Sequence, residues 1–323
     1  MVRTQPSCLI FYINLIIYLY FTRFVYLIQL TGTQNLVKIF CPDTNCAGHG
    51  MMISDDQRAG VRMTGDLRLF LTHMQKKKEY LMFYKAAIFD MDGTILNTAP
   101  DLTAAMNYAM KVHGHRHDYV NADGCLFFGS GAHTAVQRAL ALEAGMDRDK
   151  ILQIGSAENG EVPGIDESEV LEILATYSPY YKAHNAIDTK PYDGITDLLK
   201  DLRAAGVKTA VVSNKPDNSV VQLAADYFDG GFDLAIGETE GIARKPAPDM
   251  NFLILDKLGI RAEDAVYIGD TEIDFATAAN TGMDLIMVEW GFRPKAQLEA
   301  LGAKVFASTA QEVFALIRNG CRS

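Results

Sequence analysis

From Met82 onward, short apolar runs alternate with longer stretches in which apolar residues recur every three or four positions. The runs Ala86–Phe89 (AAIF), Val207–Val212 (VKTAVV), Ala265–Ile268 (AVYI) and Leu285–Val288 (LIMV) are expected to be strands. Continuous rather than alternating apolarity suits strands buried on both faces, as in a parallel sheet covered by helices. Ile195, Leu198, Leu199 and Leu202 fall at i, i+3, i+4 and i+7, the stripe of a helix lying on such a sheet, and Gly206 ends it before the next strand. Helices alternating with strands point to an α/β class with a doubly wound parallel sheet.

A long insert separates the first strand from the second. It opens on Thr98-Ala-Pro-Asp101, where Thr98 is the expected N-cap and an acidic residue follows three later. Helical patterning continues through Met106 and Met110, through AHTAVQRALALEAG (132–145) and through ESEVLEILATYSPYYKAH (167–184). The expected organisation is an α/β core built from residues 82–97 and 186–323, with a helical cap over 98–185.

Residues 1–81 do not share this pattern. Cys8 to Leu30 is apolar and aromatic, interrupted by Asn14 and Arg23, and approaches the length a spanning helix needs. Residues 31–81 carry no sustained period. Lys76, Lys77, Lys78 and Glu79 can be encoded only by the purine tract AAR-AAR-AAR-GAR, and two codons separate it from Met82, where a bacterial ribosome-binding site would lie. The expectation is that residues 1–81 are upstream sequence read in frame and lie outside the fold. A membrane anchor over residues 8–30 is the alternative.

With 49% hydrophobic and 22% charged residues, the chain can bury a substantial core. The formal charge of −10 argues against general binding to nucleic acid or anionic membrane, while leaving room for a local cationic site that holds a small phosphorylated metabolite. Five scattered cysteines, Cys8, Cys41, Cys46, Cys125 and Cys321, do not form a disulfide framework and fit a reducing, cytoplasmic setting. Cys41 and Cys46 have no second Cys/His pair to complete a zinc site. His113, His115 and His117 are read as a solvated turn, because Gly114 breaks the helical spacing a metal pair would use.

The candidate chemistry lies at the strand ends. Asp90 and Asp92 follow the first strand, Ser213 and Asn214 the second, and Gly269-Asp270 the third. In open α/β sheets the ligand crevice lies outside the carboxyl ends of the strands, so these residues should share one site. Like charges as close as Asp90 and Asp92 raise a pKa or call for a cation, and Asp270 and Asp274 add two more carboxylates. Hard oxygen donors beside a phosphate suit Mg²⁺. Lys245, in ARKPAPD (243–249), can meet substrate charge.

Taken together, DMDGT, VVSNK, KPAPD and GDTEID resemble the four ordered motifs of the haloacid dehalogenase superfamily, and the insert resembles the helical cap of its phosphoglycolate-phosphatase-like branch. The resemblance covers Met82 to the C-terminus. It implies that Asp90 is a nucleophile forming an aspartyl-phosphate. It implies that Asp92 is the acid and base. Mg²⁺ would be held by Asp90, the Asp92 backbone carbonyl and Asp270, with Asp274 orienting its waters. Thr94, Ser213, Asn214 and Lys245 would contact the substrate phosphate. Because Asp92 and the second acidic pair are present, phosphoryl transfer is favoured over dehalogenation.

The insert should choose the substrate. Gly129-Ser130-Gly131 precedes a helix and offers backbone N–H groups, and Gly129 and Gly131 are candidate contacts, as is Arg138. Arg293, in EWGFRP (289–294), is a further candidate for an anionic substrate. The leading expectation is Mg²⁺-dependent hydrolysis of a small phosphomonoester, with 2-phosphoglycolate first by resemblance. The alternatives are a phosphomutase, a pyrophosphatase or a nucleotidase of the same fold, and, in another class, a membrane-tethered binding protein.

Overall fold

The computed structural model describes residues 83–155 and 164–321, and the strand backbone of 16–21, 24–31 and 36–40. The chain divides into two units, Met1–Tyr80 and Leu81–Ser323. In the first, β1 (Ile16–Phe21), β2 (Phe24–Thr31) and β3 (Leu36–Phe40) pair in antiparallel order. The apolar stretch of the alternative membrane anchor therefore holds β1 and nearly all of β2, in keeping with its wealth of Ile, Tyr and Phe. Among the described residues no helix is long and apolar enough to cross a membrane. Cys41 and Cys46 lie outside the described residues.

In the second unit, β4 (Ala86–Phe89) is wholly buried and stands at the centre of a six-stranded sheet. Its chain neighbours are β5 (Leu96–Asn97) and, after the insert, β6 (Lys190–Pro191); then follow β7 (Lys208–Pro216), β8 (Leu234–Glu238), β9 (Ala265–Gly269), β10 (Asp284–Val288) and β11 (Phe306–Ala307). The sheet order is β11-β10-β9-β4-β7-β8, with every pairing parallel. The chain winds outward from β4 through β7 to β8, then crosses to β9 on the other side. The order thus reverses beside β4, and a ligand crevice is expected there.

Side chains alternate across β4. Ala87 and Phe89 face one apolar layer with Leu198, Leu202, Val220 and Ile317, while Ala86 and Ile88 face a second with Val212, Ile254 and Tyr267. Both faces are covered, which explains the unbroken apolar runs. All four residues of the anticipated 195–202 stripe are buried.

The insert carries α1 (Ala99–Val112), α2 (Asn121–Phe127), α3 (Ala132–Glu143), α4 (Arg148–Ile151) and α5 (Glu167–His184). They enclose their own apolar cluster, including Met106, Met110, Phe127, Val136 and Ile173. The core helices are α6 (Ile195–Ala204), α7 (Asp217–Phe228), α8 (Asp249–Leu258), α9 (Glu272–Thr281), α10 (Lys295–Ala300) and α11 (Ala310–Asn319).

Two local expectations are corrected. Thr98 occupies the N-cap position of α1 but makes no side-chain capping bond. Asp101 instead accepts backbone N–H bonds from Ile187, Asp188 and Thr189 at 2.9–3.1 Å, where the chain returns from the insert. Beside them β5 and β6 pair antiparallel, so both crossings between insert and core run together. The histidine turn is partnered rather than merely solvated: His115 lies 2.9 Å from Glu143 and 3.1 Å from Glu169, and His113 lies 2.8 Å from Thr176.

Candidate active site

Asp90 leaves β4 at the switch point, its N–H donating to the Ile268 carbonyl at 2.9 Å. Asp92 follows beyond the buried Met91. Gly93 then turns the chain at φ +85°, where a Cβ would sit 2.2 Å from Asp270 Oδ2; a larger residue would both strain this turn and strike the acidic cluster.

Lys245, 3% exposed, joins the motifs. Its ammonium donates to Asp90 Oδ1 at 2.7 Å, to Asp274 Oδ1 at 2.9 Å and to the Tyr267 hydroxyl at 3.0 Å. The loop carrying it is pinned by Asn214, whose Nδ2 donates to the Lys245 carbonyl at 2.9 Å. Asp274 is wholly buried in the first turn of α9. Its Oδ2 accepts from the Asp270 N–H, the Thr271 N–H and the Thr271 hydroxyl at 2.9–3.1 Å, and Tyr267 donates to its Oδ1 at 3.2 Å. Five donors, counting Lys245, converge on one carboxylate, so its structural work here is to anchor Lys245.

Asp270 accepts from the Thr94 hydroxyl at 2.7 Å and from the Phe292 N–H at 2.7 Å. This corrects the expected part of Thr94: its side chain is fully buried and orients Asp270. Carboxylate oxygens of Asp90, Asp270 and Asp274 lie within 4.8 Å of one another. Asp92 is outside that group; its carboxylate forms an ion pair with Lys215 at 3.1 Å.

The charges in the cluster are unbalanced. With all three carboxyls ionised, one ammonium would leave two negative charges in a buried site. Burial pushes the Asp90 carboxyl up to about 7; Lys245 opposes the rise and Asp274 adds to it. Asp270 is driven well above the usual carboxylate range by burial, then by Asp274 and Asp90. Burial also disfavours charge on Asp274, but Lys245 and the Thr271 donors hold it below its ordinary value. An all-oxygen donor set short of two positive charges fits a hard divalent cation such as Mg²⁺, with Asp90 and Asp270 as the carboxylates best placed to hold it.

Above the cluster lies a cavity of about 570 Å³. Asp90, Asp92, Ser213, Asn214, Lys215 and Lys245 line it from the core. From the insert come Phe128, Gly129, Gly131, Tyr177 and Tyr181. Gly129 and Gly131 thus face the cavity, at φ +118° and +88°, and a Cβ on Gly129 would lie 3.2 Å from Thr271 of the core.

Arg138 and Arg293 do not line it, which corrects their expected contact with substrate. Arg138 is 1% exposed and donates to the carbonyls of Ile154, Phe127, Leu126 and Leu152, to Ser130 and to Glu272. Arg293 grips both oxygens of Glu272, at 2.7 and 3.0 Å, and donates to the carbonyls of Cys125 and Phe128. Both guanidiniums are committed to the seam between insert and core.

Lys215, Glu272 and Tyr267 are among the residues of this arrangement that carried no role in the sequence reading. Lys215 sits in the quoted VVSNK and Glu272 in GDTEID; each is a charge beside residues already singled out, and that adjacency was the available signal. Tyr267 lies inside an apolar run and its hydroxyl gave none.

The model of the haloacid dehalogenase-like hydrolase family matches residues 87–288. A phosphoglycolate phosphatase of Pseudomonas aeruginosa is 31% identical over 209 residues, covering 64% of this chain and 70% of that protein. Another from Rhodospirillum rubrum is 30% identical over 224 residues, covering 67% and 85%. Among solved structures, a Lactobacillus delbrueckii protein provisionally described as a phosphoglycolate phosphatase is 49% identical, with a TM-score of 0.72, and the match covers 74% of this chain and 100% of that one. The chain belongs to the haloacid dehalogenase-like hydrolase family and, within it, to the branch of phosphoric monoester hydrolases that resemble phosphoglycolate phosphatase.

Proposed function

We propose that the chain is a Mg²⁺-dependent phosphatase that hydrolyses a small phosphomonoester, with 2-phosphoglycolate, the substrate for which its relatives are named, as the first candidate. The observation that carries this reading is the Lys245 ammonium shared between Asp90 and Asp274, with Asp270 alongside, on the floor of a cavity.

Lys245, Ser213 and the Asn214 backbone receive the phosphoryl oxygens, and Lys245 balances charge as it shifts onto them. An Asp90 carboxylate oxygen attacks phosphorus, the ester P–O bond breaks, and Asp92 gives its proton to the leaving alkoxide. Asp92 then takes a proton from water, whose oxygen attacks the aspartyl-phosphate. Inorganic phosphate leaves and the Asp90 carboxylate is restored. Mg²⁺ held by Asp90 and Asp270, with the Asp92 carbonyl, would neutralise the charge gathered between carboxylates and phosphate. Thr94 and the Phe292 N–H keep Asp270 aimed, and Asp274 keeps Lys245 in place.

The test is phosphate release from 2-phosphoglycolate, pyrophosphate, nucleoside monophosphates and sugar phosphates, with and without Mg²⁺. Highest kcat/KM on 2-phosphoglycolate is expected, and Asp90→Asn should lower kcat by about 10⁴-fold or more. Full activity in Asp90→Asn would remove the nucleophile assignment. Turnover of a sugar phosphate into its isomer without phosphate release would make the chain a mutase.

A further inference from the structure

The cavity is far roomier than a two-carbon phosphoester requires. At about 570 Å³ it falls in the range that encloses drug-sized ligands. Shape alone therefore gives little basis for choosing a small substrate, and the choice must rest on polar groups that a wrong substrate leaves unmet.

One such group is Lys215, whose ammonium has three protons and two side-chain partners, Asp92 and Tyr181. Its side chain is 4% exposed, yet it lines the cavity, 3.1 Å from Asp92. The ammonium donates to the Tyr181 hydroxyl at 2.6 Å and lies 4.6 Å from the centre of the Tyr181 ring. Tyr181 comes from α5 of the insert and stacks on Tyr177, so the cation is placed jointly by core and insert. In the proposed reaction Asp92 serves the leaving group. Lys215, its neighbour, accordingly lies on the leaving-group side of phosphorus.

A second is Arg244. It lines the same cavity, and its Nη1 lies so near Gly131 of the insert that a Cβ there would approach within 2.8 Å. Among the described residues its guanidinium has no hydrogen-bond or ion-pair partner. Lys182 adds a third cation to the lining, against the single carboxylate of Glu238 in this outer part. A buried ammonium and an unpaired guanidinium facing one cavity form a receptor for an anion.

We propose that Lys215, assisted by Arg244, is the specificity determinant of this site: the two take a second anionic group, carboxylate or phosphate, carried by the leaving group one or two carbons from the ester oxygen. The inference rests on the phosphatase reading and narrows its substrate to doubly anionic small esters. A neutral leaving group would bring nothing to Lys215 and leave Arg244 unmet.

The experiment uses the full chain with Mg²⁺ and three esters: 2-phosphoglycolate, ethylene glycol bisphosphate, and 2-phosphoglycolamide, which matches the first in size and lacks its second charge. Wild-type kcat/KM is expected to favour the charged esters over the amide by about 10- to 100-fold, the value of one or two charge-assisted contacts. Lys215→Met should bring that ratio close to one, and Arg244→Gln, at an exposed position whose replacement spares the fold, should lower it to a smaller degree. Preference for the carboxylate ester over the bisphosphate, or the reverse, identifies which anion the pair accepts. If wild type shows no preference, or if both variants lower all three esters equally, the selection is overturned while phosphate release still supports the phosphatase. Absence of release from all three esters overturns both.

Discussion

Two buried ionic clusters stand side by side at the start of α9, and they are built to opposite ratios. Around Lys245, one ammonium meets three carboxylates, Asp90, Asp270 and Asp274. Around Glu272, one carboxylate meets two guanidiniums, Arg138 and Arg293. Asp270, Glu272 and Asp274 alternate along the same short stretch, yet only the first cluster is left short of countercharge. The surplus at Glu272 is answered by the protein: carbonyls of Cys125, Leu126, Phe127, Phe128, Leu152 and Ile154 accept the remaining guanidinium protons. Acids have no comparable backbone remedy at the Lys245 cluster, where the available N–H groups are already spent on Asp270 and Asp274. A closed cluster holds two parts of the molecule together; an open one asks for a ligand.

The difference can be broken most forcefully at Lys245. Lys245→Met leaves three carboxyls without their cation, and stability should fall by about 3–5 kcal/mol in urea unfolding, the effect of breaking a buried pair. An unchanged midpoint would mean that the carboxyls are not held against one another as described.

The next effect separates the clusters by metal. Mg²⁺ at about 100 times its Kd should stabilise the wild type by about 2.7 kcal/mol. Asp270→Asn should abolish that response. Glu272→Gln should lower stability by about 1–3 kcal/mol through the lost charge yet keep the response. A Mg²⁺ response that disappears in Glu272→Gln and survives in Asp270→Asn would reverse the assignment.

A third contrast is a pair of pH slopes of opposite sign in metal-free protein. Burial raises Asp90 from 3.8 to about 7, so its contribution to stability is fully present below about pH 3.8 and is lost as pH rises through about 7. At Glu272 burial works against charge, but Arg293 and Arg138 win and hold its carboxyl below 4.5. Its contribution is present above about pH 4.5 and is lost as pH falls through the lower folded value. Unfolding free energies across roughly pH 3 to 8 should show a shallower upper slope in Asp90→Asn, the remainder belonging to Asp270, and lose the lower one in Glu272→Gln. Parallel slopes in the two variants would contradict the contrast.

The strand-end residues were readable because the local pattern that sets them also sets the sheet: an apolar run followed by a polar residue places that residue at the crevice. Strand β8 escaped because LAIGE contains Gly237 and lies at a half-buried edge, so its apolar signal is weak. Lys215 escaped because β7 continues past Val212 to Pro216 with a shift of register, which no apolar periodicity marks. Asp101 read as part of a local capping box, whereas its partners lie 86 to 88 residues away. Arg138 and Arg293 were misassigned for the same reason. A guanidinium can answer a substrate or a set of distant carbonyls, and sequence alone does not bring Leu126, Ile154 and Glu272 to one point.

The paired crossings have a consequence for the insert as a separate object. Leu96 lies opposite Pro191 and Asn97 opposite Lys190, and Asp101 fastens the returning chain at three successive N–H groups. To the sheet, everything between those strands is the tip of a hairpin whatever its length, because the ends are held together before the sheet sees them. The entropy of closing so long a loop is met within the insert's own fold and does not burden the core. Such a junction is a natural graft point: a different helical unit joined at residues 97 and 190 would leave Asp90, Asp270, Asp274 and Lys245 on the core, and would have to replace the wall that Tyr177 and Tyr181 now form, the Asp101 latch and the insert's partners for Glu272 and Arg293.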